Sequence, residues 1–501
     1  MTTAAWPRPR FLVLPQPGFL RSVCHGLCAR CLFCFLLLLA FACSSSSGRV
    51  VVTSLPGFDG DLPFHLETGY VEVEEDAGVE LFYYFVQAES GAAAAADDTP
   101  FLFWLTGGDR CSVFSGLAYE IGPIRFVLEP YNGTLPRLRY NHNSWSKVSH
   151  ILFVDSPVGA GFSFSRDPKG YDVGDISASL QLQEFLIKWF SDHPEYLANP
   201  FYIGGDSYVG KIVPFLGQMI SEGIELGRRP FPNLKGYLVG NPITGESIDF
   251  TSRVPYAHGV GIISDQLYET ILGHCQGEDY TSPANALCAQ ALDTFNNLIN
   301  EVQNAQILLD TCVYASPAPN VLSRPVDGGR RILRAAGMGG GATLNHPPAR
   351  PRFGCITYGY YLSYFWANDE RTRTALGIKK GTVDEWVRCH DADLPYTIDL
   401  KSAIKYHRNL TSRGYRALVY SGDHDLLVPH LGTQAWVRSL NFPVVDDWRA
   451  WHLGGQAAGF TINYSNNMTF ATIKGGGHTA PEYEPERCFA MFSRWILDRP
   501  L

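Results

Sequence analysis

The stretch Gly204-Gly205-Asp206-Ser207-Tyr208-Val209-Gly210 constrains this chain more than any other. Just before it, Phe201-Tyr202-Ile203 is a short aromatic and β-branched run that predicts a buried strand. Just after it, Ile212, Val213, Phe215, Leu216, Met219 and Ile220 recur at helical spacing. A strand that turns at once into a helix leaves little room for side chains, so small residues crowd the turn. A serine held there has its hydroxyl pushed outward and backbone N–H groups gathered near a helix N-terminus, the arrangement of a nucleophile elbow. The usual spacing is G-x-S-x-G; here Val209 fills the second glycine's slot and Gly210 follows one place late. By itself the heptapeptide also fits a plain strand-helix turn.

The rest of the chain repeats the strand-then-loop pattern. Gly69 to Val73 and Val79 to Val86 read as two antiparallel strands. Pro100 to Leu105 is a fully apolar strand ending in Thr106-Gly107-Gly108, and Ile151 to Val154 is another, ending in Asp155-Ser156-Pro157. Between Asp175 and Ser191, Leu182, Phe185, Leu186, Trp189 and Phe190 form a helical stripe. Tyr237 to Val239, Ala417 to Tyr420 and Phe470 to Ile473 are further strands, and a last helix carries Cys488, Phe489, Met491, Phe492, Trp495 and Ile496. Apolar strands alternating with helices predict an α/β fold with a mostly parallel central sheet flanked by helices. Ligands of such sheets sit beyond the strands' carboxyl ends, which puts Gly107-Gly108 and Ser207 on one rim.

From about 250 to 393 the pattern changes to helical pieces and cysteines, which predicts an inserted helical cap. Inside it, about 316–352 is rich in Gly, Pro and Arg and reads as a flexible, cleavable linker. The alanine-rich 91–98 reads as a loop tip.

The N-terminus bears on location. Cys31 to Ala42 is apolar, and Arg8, Arg10, Arg21 and Arg30 precede it with no acidic residue. A positive flank, a short apolar block and small residues describe a signal peptide over 1–42, with an uncleaved anchor as the alternative. The block is shorter than the ~20 residues that span a bilayer, so no stable membrane span is expected after cleavage. The expected location is the secretory pathway, in the vacuole or outside the cell. Cys24, Cys28, Cys31, Cys34 and Cys43 belong to the leader region, leaving Cys111, Cys275, Cys288, Cys312, Cys355, Cys389 and Cys488. No CxxC pair occurs among the latter, so disulfides are expected rather than a metal. Asn132, Asn409, Asn463 and Asn467 open glycosylation sequons. A net charge of -9 with no evident basic face argues against nucleic acid as a partner.

Three of the predicted strand ends carry Ser207, then Asp425, then His478, the chain order of the α/β-hydrolase fold. Serine is a poor nucleophile until an imidazole takes its proton, and the imidazole needs a carboxylate to hold its tautomer. Asp425 follows Gly422 by three residues and is the candidate acid; Asp423 is expected to bond backbone at the turn. His424 and His430 read as surface or packing residues. The oxyanion candidates are the backbone N–H groups of Tyr208 and Gly108, worth ~3 kcal/mol each.

Trp104-Leu105-Thr106-Gly107-Gly108 with Cys111-Ser112, Glu120-Ile121-Gly122-Pro123, Val154-Asp155-Ser156-Pro157-Val158-Gly159-Ala160-Gly161-Phe162-Ser163-Phe164, Gly205-Asp206-Ser207-Tyr208, Gly422-Asp423-His424-Asp425 and Gly477-His478-Thr479-Ala480-Pro481 occur in order. Together, from about Pro63 to Trp495, they resemble the plant serine carboxypeptidase-like proteins. The resemblance implies Ser207, Asp425 and His478 as a triad and Gly108 and Tyr208 as the oxyanion hole. In the family's peptidases an asparagine and two glutamates hold the substrate's terminal carboxylate. Their positions here are Thr106, Glu120 and Asp206, which with Gly107 are the substrate-binding candidates. Threonine for asparagine and aspartate for glutamate resemble the acyltransferase branch, which moves acyl groups from 1-O-β-glucose esters to an alcohol or amine. The resemblance further implies disulfides Cys111–Cys389, Cys275–Cys288 and Cys312–Cys355, a buried free thiol at Cys488, no cofactor and no metal. It also allows a monomer or a disulfide-linked two-chain form if the linker is cut. Asp109 and Arg110 depart from the family's usual proline and glycine beside the oxyanion glycines, and Val209 replaces a smaller residue. Three functions are therefore weighed: acyl transfer, release of C-terminal residues from peptides, and an inactive member that only binds.

Overall fold

Short runs that are apolar at every position build the middle of the molecule. The computed structural model describes residues 48–89, 98–108, 110–313, 348–390 and 394–501. The leader over 1–42, most of the 316–352 linker and Asp109 lie outside the described residues. The main sheet has 12 strands. In chain order they are β1 (Val50–Val52), β2 (Leu66–Glu74), β3 (Val79–Val86), β4 (Phe101–Leu105), β5 (His150–Val154), β6 (Phe164–Ser165), β7 (Pro200–Asp206), β8 (Asn233–Gly240), β9 (Arg416–Gly422), β10 (Val444–Leu453), β11 (Gln456–Tyr464) and β12 (Met468–Ile473). Across the sheet the order is β1-β2-β3-β5-β4-β7-β8-β9-β12-β11-β10, and β6 pairs with β3. The central strands β5, β4, β7, β8, β9 and β12 run parallel. Antiparallel strands flank them on both sides.

Because successive side chains alternate across a sheet, the fully buried strands feed two cores. Phe101, Phe103 and Leu105 face one side and pack with Phe185 and Trp189 of the helix Asp175–Asp192 and Val213 and Leu216 of the helix Ile212–Glu225. Leu102 and Trp104 face the other and pack with Met491, Phe492 and Trp495 of the helix Pro485–Ile496. Each such fully buried aromatic contributes on the order of 2–3 kcal/mol.

Two features add detail that the sequence pattern did not carry, a hairpin and a core beneath the helical pieces expected over about 250–393. The hairpin β10–β11 extends the sheet at its edge, and its turn is Gly454-Gly455, both at positive φ (56° and 76°). That is the type I′ geometry that glycine adopts at no steric cost. The second is a separate small core under the helices Arg253–Gly259, Asp265–His274 and Ala286–Ile299, where Ile271, Leu292 and Phe295 meet Leu426 of the loop after β9. Cys275–Cys288 staples this region, Cys312 pairs with Cys355, and Cys111–Cys389 joins parts of the chain 278 residues apart. Cys488 is buried and unpaired. Among the described residues, no helix is long and apolar enough to cross a membrane.

Candidate active site

The carboxyl ends of β4, β7, β8, β9 and β12 open on the same rim, and the loops that leave them meet. Ser207, directly after β7, sits at φ 56°, a left-handed conformation that costs a non-glycine residue ~1–3 kcal/mol. Its surroundings impose it. A Cβ on Gly107 would lie 2.5 Å from the Ser207 Cβ and 2.8 Å from the Asp206 carbonyl oxygen, so β4's end presses against the elbow. Val209 is buried and fits because its neighbour is Gly205, whose Cβ would stand 2.4 Å from the valine Cγ2.

His478 Nε2 is 2.7 Å from Ser207 Oγ, and its Nδ1 is 2.8 Å from Asp425 Oδ2. Asp425 is fully buried and also accepts hydrogen bonds from Asn241 Nδ2 (2.8 Å) and the Leu427 and Val428 N–H groups (2.8 and 3.2 Å). Burial works against a charged imidazole, yet the adjacent Asp425 carboxylate outweighs it and raises the His478 pKa above its ordinary value. Asp423 turns away from this chain and accepts the Gly475 N–H at 2.7 Å, with His424 Nδ1 at 2.9 Å from the same oxygen. His430 packs on the Tyr256 ring.

Two supports of this chain escaped the sequence reading. Asn241, at φ 40°, bridges Asp425 and the Gly422 N–H. It ends β8 in Gly240-Asn241-Pro242, the same glycine-bearing strand end that flags the other rim loops, so the signal was present. Residues 304–307 brace both loops: Asn304 O accepts from Leu426 N–H, Ala305 O from His478 N–H, and Ile307 N–H donates to His424 O. The Gln306 amide adds a bond to Gly475 O at 2.8 Å. Nothing in the sequence of that segment marks it.

Beside the serine lies a group of carboxyls. Asp206 Oδ1 accepts the Gly107 N–H at 3.0 Å, and burial pushes its pKa up to about 6. Burial, with the charges of Asp206 and Glu482 added, lifts Glu120 well above the carboxylate range. Glu482 was missed; its Oε2 accepts from Tyr360 (2.6 Å) and from Thr479 (2.9 Å), the residue after His478. Burial raises its pKa too. Thr106 Oγ1, Glu120 Oε2 and Asp206 Oδ2 are buried without a hydrogen-bond partner among the described residues.

Gly108 is at φ 80°, and a Cβ there would lie 2.4 Å from Cys111 Sγ, so the Cys111–Cys389 disulfide backs this loop. Arg110 is buried, and its guanidinium donates to the carbonyls of Val158, Tyr171 and Pro395, tying three loops together inside the protein. The Tyr208 hydroxyl donates to Asp175 Oδ1 at 2.6 Å, and Lys211 Nζ lies 3.1 Å from Asp175 Oδ2, anchoring the residue after the serine. Of the sequon asparagines, Asn132, Asn409 and Asn467 are exposed. Asn463 is half-buried, held by Asp446 and Thr469.

A parallel sheet with these loops along one rim defines an α/β-hydrolase, an enzyme class in which a serine nucleophile carries out hydrolysis or acyl transfer. The chain belongs to the serine carboxypeptidase family, whose model matches residues 56–498. It is 45% identical to serine carboxypeptidase-like 19 of Arabidopsis thaliana over 93% of this chain and 98% of that protein. It is 44% identical to serine carboxypeptidase-like 7 of the same plant, over 93% and 97%. A prohormone-processing carboxypeptidase from Saccharomyces cerevisiae superposes with a TM-score of 0.64 at 17% identity, covering 87% of this chain and 92% of that one, which speaks to the fold alone.

Proposed function

We propose that the enzyme transfers an acyl group from a 1-O-β-glucose ester to an alcohol or amine acceptor through an acyl-enzyme on Ser207. His478 takes the Ser207 proton as Oγ attacks the ester carbonyl, and Asp425 stabilises the imidazolium. The oxyanion forms against the N–H groups of Gly108 and Tyr208. As the intermediate collapses, the bond to glucose breaks and the sugar leaves with the proton from His478. The acceptor hydroxyl or amine then gives its proton to His478 and attacks the acyl carbon, and Ser207 is released with that proton returned. The observation that carries the choice of reaction is Thr106. Its buried hydroxyl stands where the family's peptidases place an amide donor for a terminal carboxylate.

Carboxypeptidase action is the second reading, favoured by Glu120 and Asp206, whose raised pKa values would let a shared proton hold a peptide's carboxylate in acid. Incubation with a sinapoyl- or benzoyl-type glucose ester and, separately, a blocked dipeptide distinguishes the two. Transfer from the ester is expected; turnover of the dipeptide alone reverses the ranking. The 2.7 Å approach of His478 to Ser207 supports activity over the inactive reading, and labelling by a serine-directed phosphonate tests that. The three disulfides fit the oxidising secretory lumen, and we place the enzyme in the vacuole or outside the cell.

A further inference from the structure

A second concave site lies next to the carboxyl group and has no part in the acyl-transfer scheme. The two-stranded ribbon Ile124–Phe126 and Leu138–Tyr140 sets Arg125 directly opposite Arg139. Like charges opposite one another on an antiparallel pair repel, so the pairing is unfavourable unless something negative sits between them. Neither guanidinium forms a salt bridge with another described residue: Arg125 Nη2 donates to the Glu120 carbonyl oxygen at 2.9 Å and feels the Glu482 and Glu120 carboxyls only at longer range, while Arg139 is exposed. Both line a cavity of about 310 Å3. Its remaining wall is largely apolar, with Tyr119, Phe126, Leu128 and Ile356. A site of this size with two convergent cations and an aromatic wall suits a small amphiphilic anion.

We propose that this cavity binds a carboxylate carried on a compact apolar body, an aryl or branched alkyl acid, with Arg125 and Arg139 clamping the carboxylate and the aromatic wall covering the body. Glu482, which also lines the cavity, does not forbid it. Its Oε2 accepts from Tyr360 and Thr479, which turns that oxygen toward protein donors, and burial raises its pKa against the opposing charges of Arg125 and Arg388. The same glutamate couples the cavity to the residue after His478.

Isothermal titration of the full chain with benzoate and with acetate tests the site, using wild type, Arg139→Gln and Arg139→Lys. Arg139 is exposed, so these variants are expected to fold, checked by near-UV circular dichroism. Benzoate is expected to bind more tightly than acetate, to weaken by about tenfold in Arg139→Gln, and to recover in part in Arg139→Lys, which keeps the charge but not the planar fork. No binding of benzoate up to about 10 mM would overturn the proposal. Unchanged affinity in Arg139→Gln would also overturn it, placing the acid in the serine pocket instead. Equal affinity for acetate and benzoate would remove the apolar wall from recognition and overturn the assigned ligand class.

Discussion

At the scale of single residues, the buried acids are the most exacting feature. Asp206 is almost wholly buried and keeps its proton up to about pH 6, well above the ordinary aspartate value of 3.8. A folded-state pKa raised in this way means the folded chain binds the proton more tightly than the unfolded one. The carboxyl is therefore no burden below about pH 4 and becomes one as pH rises through 6. Asp206→Asn cannot ionise and keeps an oxygen for the Gly107 N–H. It is expected to gain about 1–3 kcal/mol of stability at neutral pH and nothing at pH 4, read as a melting-temperature difference that vanishes on acidification. Catalysis has the opposite dependence. Since His478 must be neutral to accept the Ser207 proton, and Asp425 raises its pKa against the effect of burial, ester turnover should fail on the acid side above the pH of an unperturbed histidine. The acid limb of kcat/KM against pH measures this. On the proposed reading, Thr106→Asn supplies the amide that Thr106 lacks for a terminal carboxylate, and dipeptide hydrolysis should rise relative to ester transfer in that variant.

At the scale of elements, the rim loops are held by the segment 304–307. His478 and Asp425 come from loops after different strands, yet both lean on residues 304–307 through backbone bonds, and Gln306 fixes Gly475 as well. Gln306→Ala should leave the sheet and its two cores intact while loosening the imidazole's approach to Ser207. A fall in kcat on the order of tenfold with little change in KM is expected in steady-state kinetics on the glucose ester. This brace also marks where the sequence stops being readable. The parallel strands, the elbow and the order Ser207, Asp425, His478 were legible because apolar runs and glycine-bearing strand ends are local patterns. The contacts of Ala305, Gln306 and Glu482 are not local, and their residue types are those of any loop. The hairpin β10–β11 was legible in principle from Gly454-Gly455 but sits beyond the core pattern, with Val445 and Trp448 exposed. Arg110 shows the reverse case: a charge beside Gly107-Gly108 stands out in the sequence, whereas its guanidinium is taken up by the carbonyls of Val158, Tyr171 and Pro395.

At the scale of the whole molecule, the disulfides divide the labour between stability and the site. A crosslink stabilises chiefly by restricting the unfolded chain, and the effect grows slowly with the loop it closes. Cys275–Cys288 spans 13 residues within the helical region that has its own core, so Cys275→Ser with Cys288→Ser should cost about 3 kcal/mol there. Cys111–Cys389 spans 278 residues and should cost about 5 kcal/mol when removed. It also has a second consequence, because the Cys111 sulfur lies against Gly108 on the loop that ends β4. Releasing it frees the loop proposed to carry one oxyanion donor. Phosphonate labelling of Ser207, measured well below the melting temperature of each variant, separates the two effects. The Cys275/Cys288 variant should label at the wild-type rate despite its lower stability, and the Cys111/Cys389 variant should label more slowly even while folded. Equal rates in both would mean that the long-range crosslink holds the fold together without shaping the site.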